Sequence, residues 1–253
     1  AVATYPISAA KLNKCLLDGL KLDNAYIFAD NPNTTWQDFT NLYEEIIGGG
    51  EKEGIVITDR KIKEQKTNFE FFATQKELNI PIQIVDMEDI VEKNNELFVV
   101  NDLKSPKLSK INRLYNRILQ SEALFEDNYP EDAEKWHFRF DTHYKSFKFI
   151  NHPVKLFDCS KRLSPYISHS FNPECFELAN VAAKFRSGHL KYEDYIWKHK
   201  WGGAGQGLFF SPSLDILNSL SENEIADYIA QKKVNFKIFT TDDEQEKIVE
   251  LRF

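Results

Sequence analysis

This 253-residue sequence is poor in cysteine, in positive charge and, outside one segment, in glycine. Each of these features excludes some classes of protein. Cysteine occurs three times, at the widely spaced Cys15, Cys159 and Cys175. That odd number favours free thiols in a reducing cytoplasm over a disulfide framework. No apolar run is long enough to span a bilayer, and no leader-like segment opens the chain. We therefore predict a cytoplasmic protein that works away from the membrane.

Positive charge is also in short supply. Lysine and arginine total 32 against 39 acidic residues, so the formal net charge is −7. An acidic surface repels phosphodiester backbones and anionic lipids, which argues against nucleic acid or a membrane as partner. At this length and apolar content the chain can bury a sizeable core. We predict an enzyme-like protein acting on small molecules, and its oligomeric state stays open.

Glycine is sparse everywhere except in one short segment. Of ten glycines, four fall within the six positions from Gly202 to Gly207. A β-prone run ending in Lys198 precedes them, and the apolar run 208–210 follows, which predicts strand, loop, strand. Glycine lets backbone N–H groups approach a ligand and form a nest for an anion. A lysine at the strand end indicates that the anion is a phosphate.

Two familiar phosphate loops do not fit this segment. A Walker A loop places its lysine after the glycines and opens a helix, whereas Lys198 comes before them. A dinucleotide fingerprint would need a third glycine at position 210, which is Phe210. A strand-loop-strand flap over nucleotide phosphates is closer in logic. The alternative is a glycine-rich hairpin that holds no ligand.

The N-terminal part alternates strand and helix signals, which predicts an α/β domain over residues 1–118 with a mostly parallel sheet. The predicted strands cover residues 25–29, 54–58, 81–85 and 97–100, and the predicted helices cover residues 8–20, 34–47 and 62–78.

A connecting strand and helical region is predicted over residues 119–190. Residues 137–143 alternate like an edge strand, and a helix is predicted from about Asn172 to Gly188. His137, Asp141 and His143 could suggest a metal site, but this alternation is more typical of a solvated strand face, so we assign no metal ligand. Residues 191–253 are predicted to form a nucleotide-binding subdomain with an antiparallel sheet that carries the glycine hairpin.

The segment from Lys198 to Leu208 resembles the ATP-grasp pattern of a strand lysine followed by a glycine loop closing in Gly-x-Gly-apolar. Four further stretches agree with that family in order: a Tyr-x-Arg strand at 111–118, an Asn-Pro segment leading into a Ser-Lys helix start at 151–163, a Tyr-x-Ala-Gln-x-x-Val strand at 228–234, and a Leu-Arg-x-Phe-like strand at 249–253. From about residue 100 the chain is similar to circularly permuted and glutathionylspermidine-synthase-like ATP-grasp proteins.

The resemblance implies an α/β fold in which a pre-ATP-grasp domain precedes part of an ATP-grasp fold. It implies ATP and Mg²⁺ as cofactors and an ATP-dependent carboxylate–amine ligase, which forms a C–N bond through an acyl phosphate. The family's Mg²⁺ ligands follow the last strand seen here, so we expect them beyond Phe253 and expect this chain to be a fragment. The alternatives are a nucleotide-binding or interaction module without chemistry, and a structural α/β protein with an empty hairpin.

The resemblance also assigns residues. Lys198 is the expected catalytic and phosphate lysine, with Lys200 as the rival on the same strand face. Lys161 is a second nucleotide contact, although Arg162 or Lys155 could serve instead. The remaining expected ATP contacts are the loop residues Gly203, Ala204, Gly205, Gln206 and Gly207 over the phosphates, and Gln231, Lys232, Lys233 and Val234 along the adenine. Arg117 and Arg252 are candidate contacts for substrate or phosphate.

Overall fold

The computed structural model describes residues 6–20, 34–100, 108–118, 131, 133–203, 205–234, 238–240 and 246–248. The chain divides into two compact units, Ala1–Cys159 and Ser160–Phe253. The division falls inside the predicted connecting region 119–190. Within the described ranges, no helix combines the length and apolar character needed to cross a membrane.

The first unit contains both helices and strands, and among the described residues its α-helices and strands interleave only as far as residue 86. Its helices are α1 (Pro6–Leu20), α2 (Trp36–Gly48), α3 (Phe69–Glu77) and α4 (Leu156–Cys159). Its strands are β1 (Ile55–Asp59), β2 (Ile82–Asp86), β3 (Ile90–Lys93), β4 (Glu96–Val100), β5 (Leu108–Lys110), β6 (Arg113–Asn116) and β7 (Lys148–Phe149).

Four of these strands form a parallel sheet in the order β2-β1-β6-β7. All five residues of the central strand β1 are buried, as expected for a parallel strand covered on both faces. Ile55 and Ile57 pack into one core with residues of α1, α2 and α3, while Val56 packs into a second core with residues of β3 and β4. The predicted mixed α/β fold with a parallel sheet is confirmed, and the strand predicted at 25–29 lies outside the described residues.

One local prediction in this unit is wrong. The helix predicted over 62–78 is a 3₁₀ turn, Ile62–Glu64, followed by α3. Asp86 accepts from the Ile62 N–H at 2.7 Å and the Gln65 amide donates to the Arg60 carbonyl at 2.6 Å. Such side-chain bonds to the backbone compete with a continuous helix.

The strand predicted at 97–100 exists as β4, but it does not join the parallel sheet. It pairs antiparallel with β3 and β5 in a separate three-stranded sheet. Asn94 and Asn95 both have positive φ, 57° and 66°, between β3 and β4. Two left-handed residues make the tight hairpin turn that joins antiparallel neighbours, so the local turn decides the pairing.

The second unit is built around an antiparallel sheet. Its strands are β8 (Cys175–Glu177), β9 (Tyr195–His199), β10 (Leu208–Phe209), β11 (Tyr228–Lys232), β12 (Ile238–Thr240) and β13 (Glu246–Ile248), and its helices are α5 (Leu178–Arg186), α6 (Leu214–Ser219) and α7 (Glu222–Ala226). Strands β10-β9-β11-β8 form one sheet in that order, and β12 and β13 form a separate hairpin.

One face of the four-stranded sheet is apolar. Trp197 of β9 lies level with Phe209 of β10 and Ala230 of β11, and Ala230 lies level with Phe176 of β8. These side chains belong to one hydrophobic cluster with Leu178, Val181, Ala182 and Phe185 of α5. Because side chains alternate along a strand, residues 196 and 198 of β9 point to the opposite face.

The helix predicted from Asn172 begins later than expected. Residues 175–177 form β8, which pairs with β11, and α5 starts at Leu178. The pairing places Phe176 against the core and Glu177 on the opposite face. Tertiary pairing with β11 thus overrides the helical pattern of this three-residue segment.

Candidate functional site

The glycine segment is a hairpin at the edge of the antiparallel sheet. Leu208 pairs with Lys198 and Phe209 with Trp197, so β9 and β10 flank the loop. The N–H of His199 donates to the Gly207 carbonyl at 2.7 Å, and the Gln206 N–H donates to the Gly203 carbonyl at 2.7 Å. The predicted antiparallel sheet carrying a glycine-rich hairpin is therefore confirmed.

The loop positions differ in whether the backbone conformation or the available space requires glycine. Gly205 and Gly207 have φ of 88° and 60°, a region that disfavours other residues. A Cβ on Gly202 would collide with the Gln206 carbonyl. Gly203 has neither restriction, because its φ is not left-handed and a Cβ there would meet no atom of the described residues within 4 Å. Neither the loop conformation nor the available space requires glycine at position 203, and Ala204 lies outside the described residues.

Lys198 lies on the sheet face opposite the core. Its side chain is partly buried, and burial lowers its pKa, an effect that the nearby Cys175 thiol partly opposes. Within the described part of the chain, the Lys198 ammonium has no hydrogen-bond or ion-pair partner. A desolvated cation without a partner is electrostatically costly, and an anion would remove that cost.

Lys161 approaches the same place from a 3₁₀ helix, Lys161–Tyr166, which packs on β8 and β11. Its ammonium donates to the carbonyl of Gly202 at the start of the loop. Burial lowers the pKa of Lys161, and the positive charge of Lys198 lowers it further. The structure thus brings together the two predicted lysines and the glycine loop in one unit.

Lys200 is held differently from Lys198. Its ammonium forms an ion pair with Glu177, and the two side chains are only 15% and 14% exposed. It also donates to the Ala226 carbonyl at 2.5 Å. The rival strand lysine is therefore already neutralised within the protein.

Arg162 and Lys155, the two alternatives to Lys161, make different contacts. The guanidinium of Arg162 lies 5.9 Å from the Trp201 ring centroid, a cation–π contact at the exposed rim of the site. Lys155 belongs to the first unit and forms an exposed ion pair with Asp158 at 3.0 Å. Of the three basic residues, Lys161 is the one in contact with the loop.

The predicted adenine segment runs along β11 and beyond it. Gln231 lies level with Ile196 and Lys232 with Tyr195, so this segment sits at the end of β9 away from the hairpin. The Lys232 and Lys233 N–H groups already donate to the Glu174 and Asp194 carbonyls, both at 2.8 Å. Val234 follows with 53% of its surface exposed.

Neither of the two predicted arginines lies in the described part of the second unit. Arg252 lies outside the described residues. Arg117 belongs to the first unit, is buried, and lies over the Phe71 ring at 4.5 Å. The cavity it lines with Glu70 and Tyr115 has a volume of about 10 Å³, room for roughly one water.

No group of three or more potential metal-ligating side chains occurs among the described residues. Residues 137–143 do not form the predicted edge strand, and His137 makes an isolated bridge with Val91. Asp141 is used by Arg139 in a two-pronged pair at 2.9 and 2.6 Å, which lowers the pKa of the Asp141 carboxyl.

Sequence reasoning missed two side chains on the lysine face, Cys175 and Glu177. Both lie on β8, whose residues fall within the helix predicted from Asn172 to Gly188. Burial raises the pKa of the Cys175 thiol to about 11, so this thiol is protonated at neutral pH. The sequence sign of a strand here is the position of the apolar Phe176 between these two more polar residues.

Neither a scan against protein-family models nor a search of curated proteins finds a match. Among solved structures, the matches include a glutathione synthetase-like effector from Globodera pallida in its apo form, with a TM-score of 0.50 and 10% identity. The alignment covers 95% of this chain and 54% of that chain, so this chain spans about half its length. At that identity the likeness shows the fold alone, a mixed α/β fold consistent with part of an ATP-grasp-like fold.

Proposed function

We propose that the second unit binds a nucleoside triphosphate, with the phosphates held by Lys161, Lys198 and the glycine loop. The observation that carries the proposal is the pair of partly buried lysines in a protein of net charge −7. Like charges repel, so two desolvated ammonium groups are stable together when an anion lies between them. A phosphate group supplies that charge and accepts from both.

The glycine loop fits the same ligand. Open space lies beside Gly203 and Gly205, where any side chain would project. A close approach of phosphate oxygens to the backbone would explain why residue 203 is glycine although neither its φ nor the surrounding space requires it. Lys198 would hold the phosphates, and Gln231–Val234 would run beside the base at the far end of the sheet. Since two N–H groups of that segment are already used, Val234 is our candidate for the backbone contact to adenine.

For the reaction, we propose an ATP-grasp-type carboxylate–amine ligase that uses Mg²⁺. The ordered motifs from residue 111 onwards and the fold likeness support this class. ATP would supply the phosphoryl group that activates a carboxylate, while Lys198 and Lys161 position and neutralise the phosphates. The alternative is a nucleotide-binding module without ligase chemistry, which would bind ATP.

Calorimetric titration with ATP, ADP, AMP and adenosine tests the binding proposal. Affinity should fall at each loss of a phosphate, because the cationic pair contacts the phosphates rather than the base. Higher salt should weaken ATP binding more than adenosine binding. Equal affinities for ATP and adenosine, or no binding of either, would overturn the proposed site.

A further inference from the structure

Glu177 lies on the same face of the sheet as Lys198. Across the sheet, Glu177 is level with Ile229, and Ile229 is level with Lys198. Neighbouring strands are about 4.8 Å apart, which puts the Cα atoms of Glu177 and Lys198 roughly 10 Å from each other. A carboxylate in this position shares its sheet face with both strand lysines.

The structure shows which lysine it holds. Glu177 pairs with Lys200, and both side chains are mostly shielded from solvent. The Lys200 ammonium is fixed further by the Ala226 carbonyl at 2.5 Å. The hydroxyl of Tyr166 donates to Glu177 Oε1 at 3.1 Å, from the same 3₁₀ helix that begins with Lys161. Lys198 is left without an acidic partner in the described part of the chain.

We propose that Glu177 is a positioning residue that determines which lysines remain available to the anion. By neutralising Lys200 it leaves Lys161 and Lys198 as the cationic pair of the nucleotide site. Glu177 itself touches no ligand and acts through Lys200. This inference rests on the proposed function, because it specifies how the phosphate site is assembled.

The charge balance makes opposite predictions for the two single variants. Glu177→Gln releases Lys200, whose ammonium then turns toward bound phosphates, so ATP should bind about three- to tenfold tighter. Lys200→Met releases Glu177, which then competes for Lys198, so ATP should bind more weakly by a similar factor. The double variant carries neither charge and should bind ATP as the wild-type chain does.

Titration of the four proteins with ATP at two salt concentrations, with thermal melts alongside, tests this proposal. Wild-type affinity in the double variant is the supporting result, together with a steeper salt dependence in Glu177→Gln. A double variant as weak as Lys200→Met would show that Lys200 contacts the nucleotide directly, and unchanged affinity in Glu177→Gln would also overturn the proposal. If Glu177→Gln does not fold, the double variant still decides, because it contains no unpaired charge.

These outcomes separate two kinds of failure. Absence of ATP binding in all four proteins would refute the proposed function, and the role of Glu177 with it. ATP binding by the wild-type chain without the opposite shifts would refute the role of Glu177 alone.

Discussion

The two four-stranded sheets of this protein differ in how their basic residues are satisfied. In the parallel sheet of the first unit, Arg113 is buried and donates to the carbonyls of Ile46 and Ile47 at 2.8 Å each. In the antiparallel sheet of the second unit, Lys198 is partly buried and lacks such partners among the described residues. Arg113 completes a helix end, whereas Lys198 lies on the sheet face opposite the core.

The difference follows from sheet type. A parallel sheet is covered on both faces, so a cation within it must be satisfied by the protein itself. An antiparallel sheet can pack one face and leave the other for solvent or ligand. Trp197 and Lys198, adjacent in sequence, therefore point to opposite faces of the sheet. Trp197 packs into the core, and Lys198 is the residue that we propose contacts the phosphates. A partly buried cation is a better guide to a binding site when the fold supplies no partner for it.

The largest expected effect is at the glycine loop. Gly205→Val should weaken ATP binding by more than about a hundredfold, because a β-branched side chain disfavours φ of 88° and would occupy the approach to the phosphates. Calorimetric titration measures the affinity, and a thermal melt reports the strain.

Gly203→Ala is the matched control for backbone strain. Position 203 has no left-handed φ and has open space for a methyl group, so the melting temperature should not change. ATP binding should nevertheless weaken if phosphate oxygens approach this backbone. Wild-type affinity in Gly203→Ala would show that the loop does not touch the ligand.

Lys198→Ala should weaken ATP binding by about ten- to a hundredfold, or about 1.5–3 kcal/mol, through loss of a charge-assisted phosphate contact. Its melting temperature should stay the same or rise, because a desolvated charge is removed. Lys200→Ala is the comparison variant, with a milder loss of affinity and a clear loss of stability from the unpaired Glu177. The reverse ranking would mean that Lys200 is the phosphate lysine.

Arg113→Ala should lower the free energy of unfolding by about 2 kcal/mol, because two carbonyls at the end of α2 lose a charged donor. Chemical denaturation measures this change. The nucleotide affinity should not change. Arg139→Ala is the control, since that arginine makes an exposed surface pair and its loss should leave the denaturation midpoint unaltered.

The smallest effect is a pH dependence at Lys198. Burial lowers its pKa below 10.5, so the folded chain loses this proton more readily than the unfolded chain. The cost of the buried charge is fully present below the lowered pKa and disappears as the pH rises from there to 10.5. Lys198→Met should therefore melt above wild type at pH 7.5, with a difference that narrows toward pH 10.5. A melting-temperature difference that stays constant from pH 7.5 to pH 10.5 would contradict the lowered pKa of Lys198.

Much of the fold could be predicted from local patterns. The alternation of apolar runs with amphipathic segments located β1, β2, α2 and the parallel sheet, and the glycine cluster between β-prone runs located the β9–β10 hairpin. The helix predicted from Asn172 fails where tertiary pairing decides, because residues 175–177 pair with β11 as a strand. The position of β4 outside the parallel sheet is decided locally, because a two-asparagine turn directs it back onto β3.

The site could be predicted only as a set of residue types. The family resemblance favoured Lys198 by its spacing to the glycine loop, and Lys200 stayed a rival because both lie on one strand face. The distinction comes from Glu177, 21 positions earlier than Lys198, and no sequence pattern places that carboxylate beside Lys200. Likewise Arg117 has the sequence context of a ligand contact, yet burial over Phe71 leaves little room beside it.

The most direct test of the nucleotide site is lysine labelling with pyridoxal 5′-phosphate, whose aldehyde forms an imine with a neutral amine that borohydride then traps. Peptide mapping by mass spectrometry identifies the labelled lysines with and without ATP. We predict labelling of Lys198 and Lys161 that ATP suppresses and adenosine does not, with Lys200 unlabelled. Labelling of Lys198 and Lys161 that ATP leaves unchanged would contradict the claim that this face of the sheet binds nucleotide phosphates.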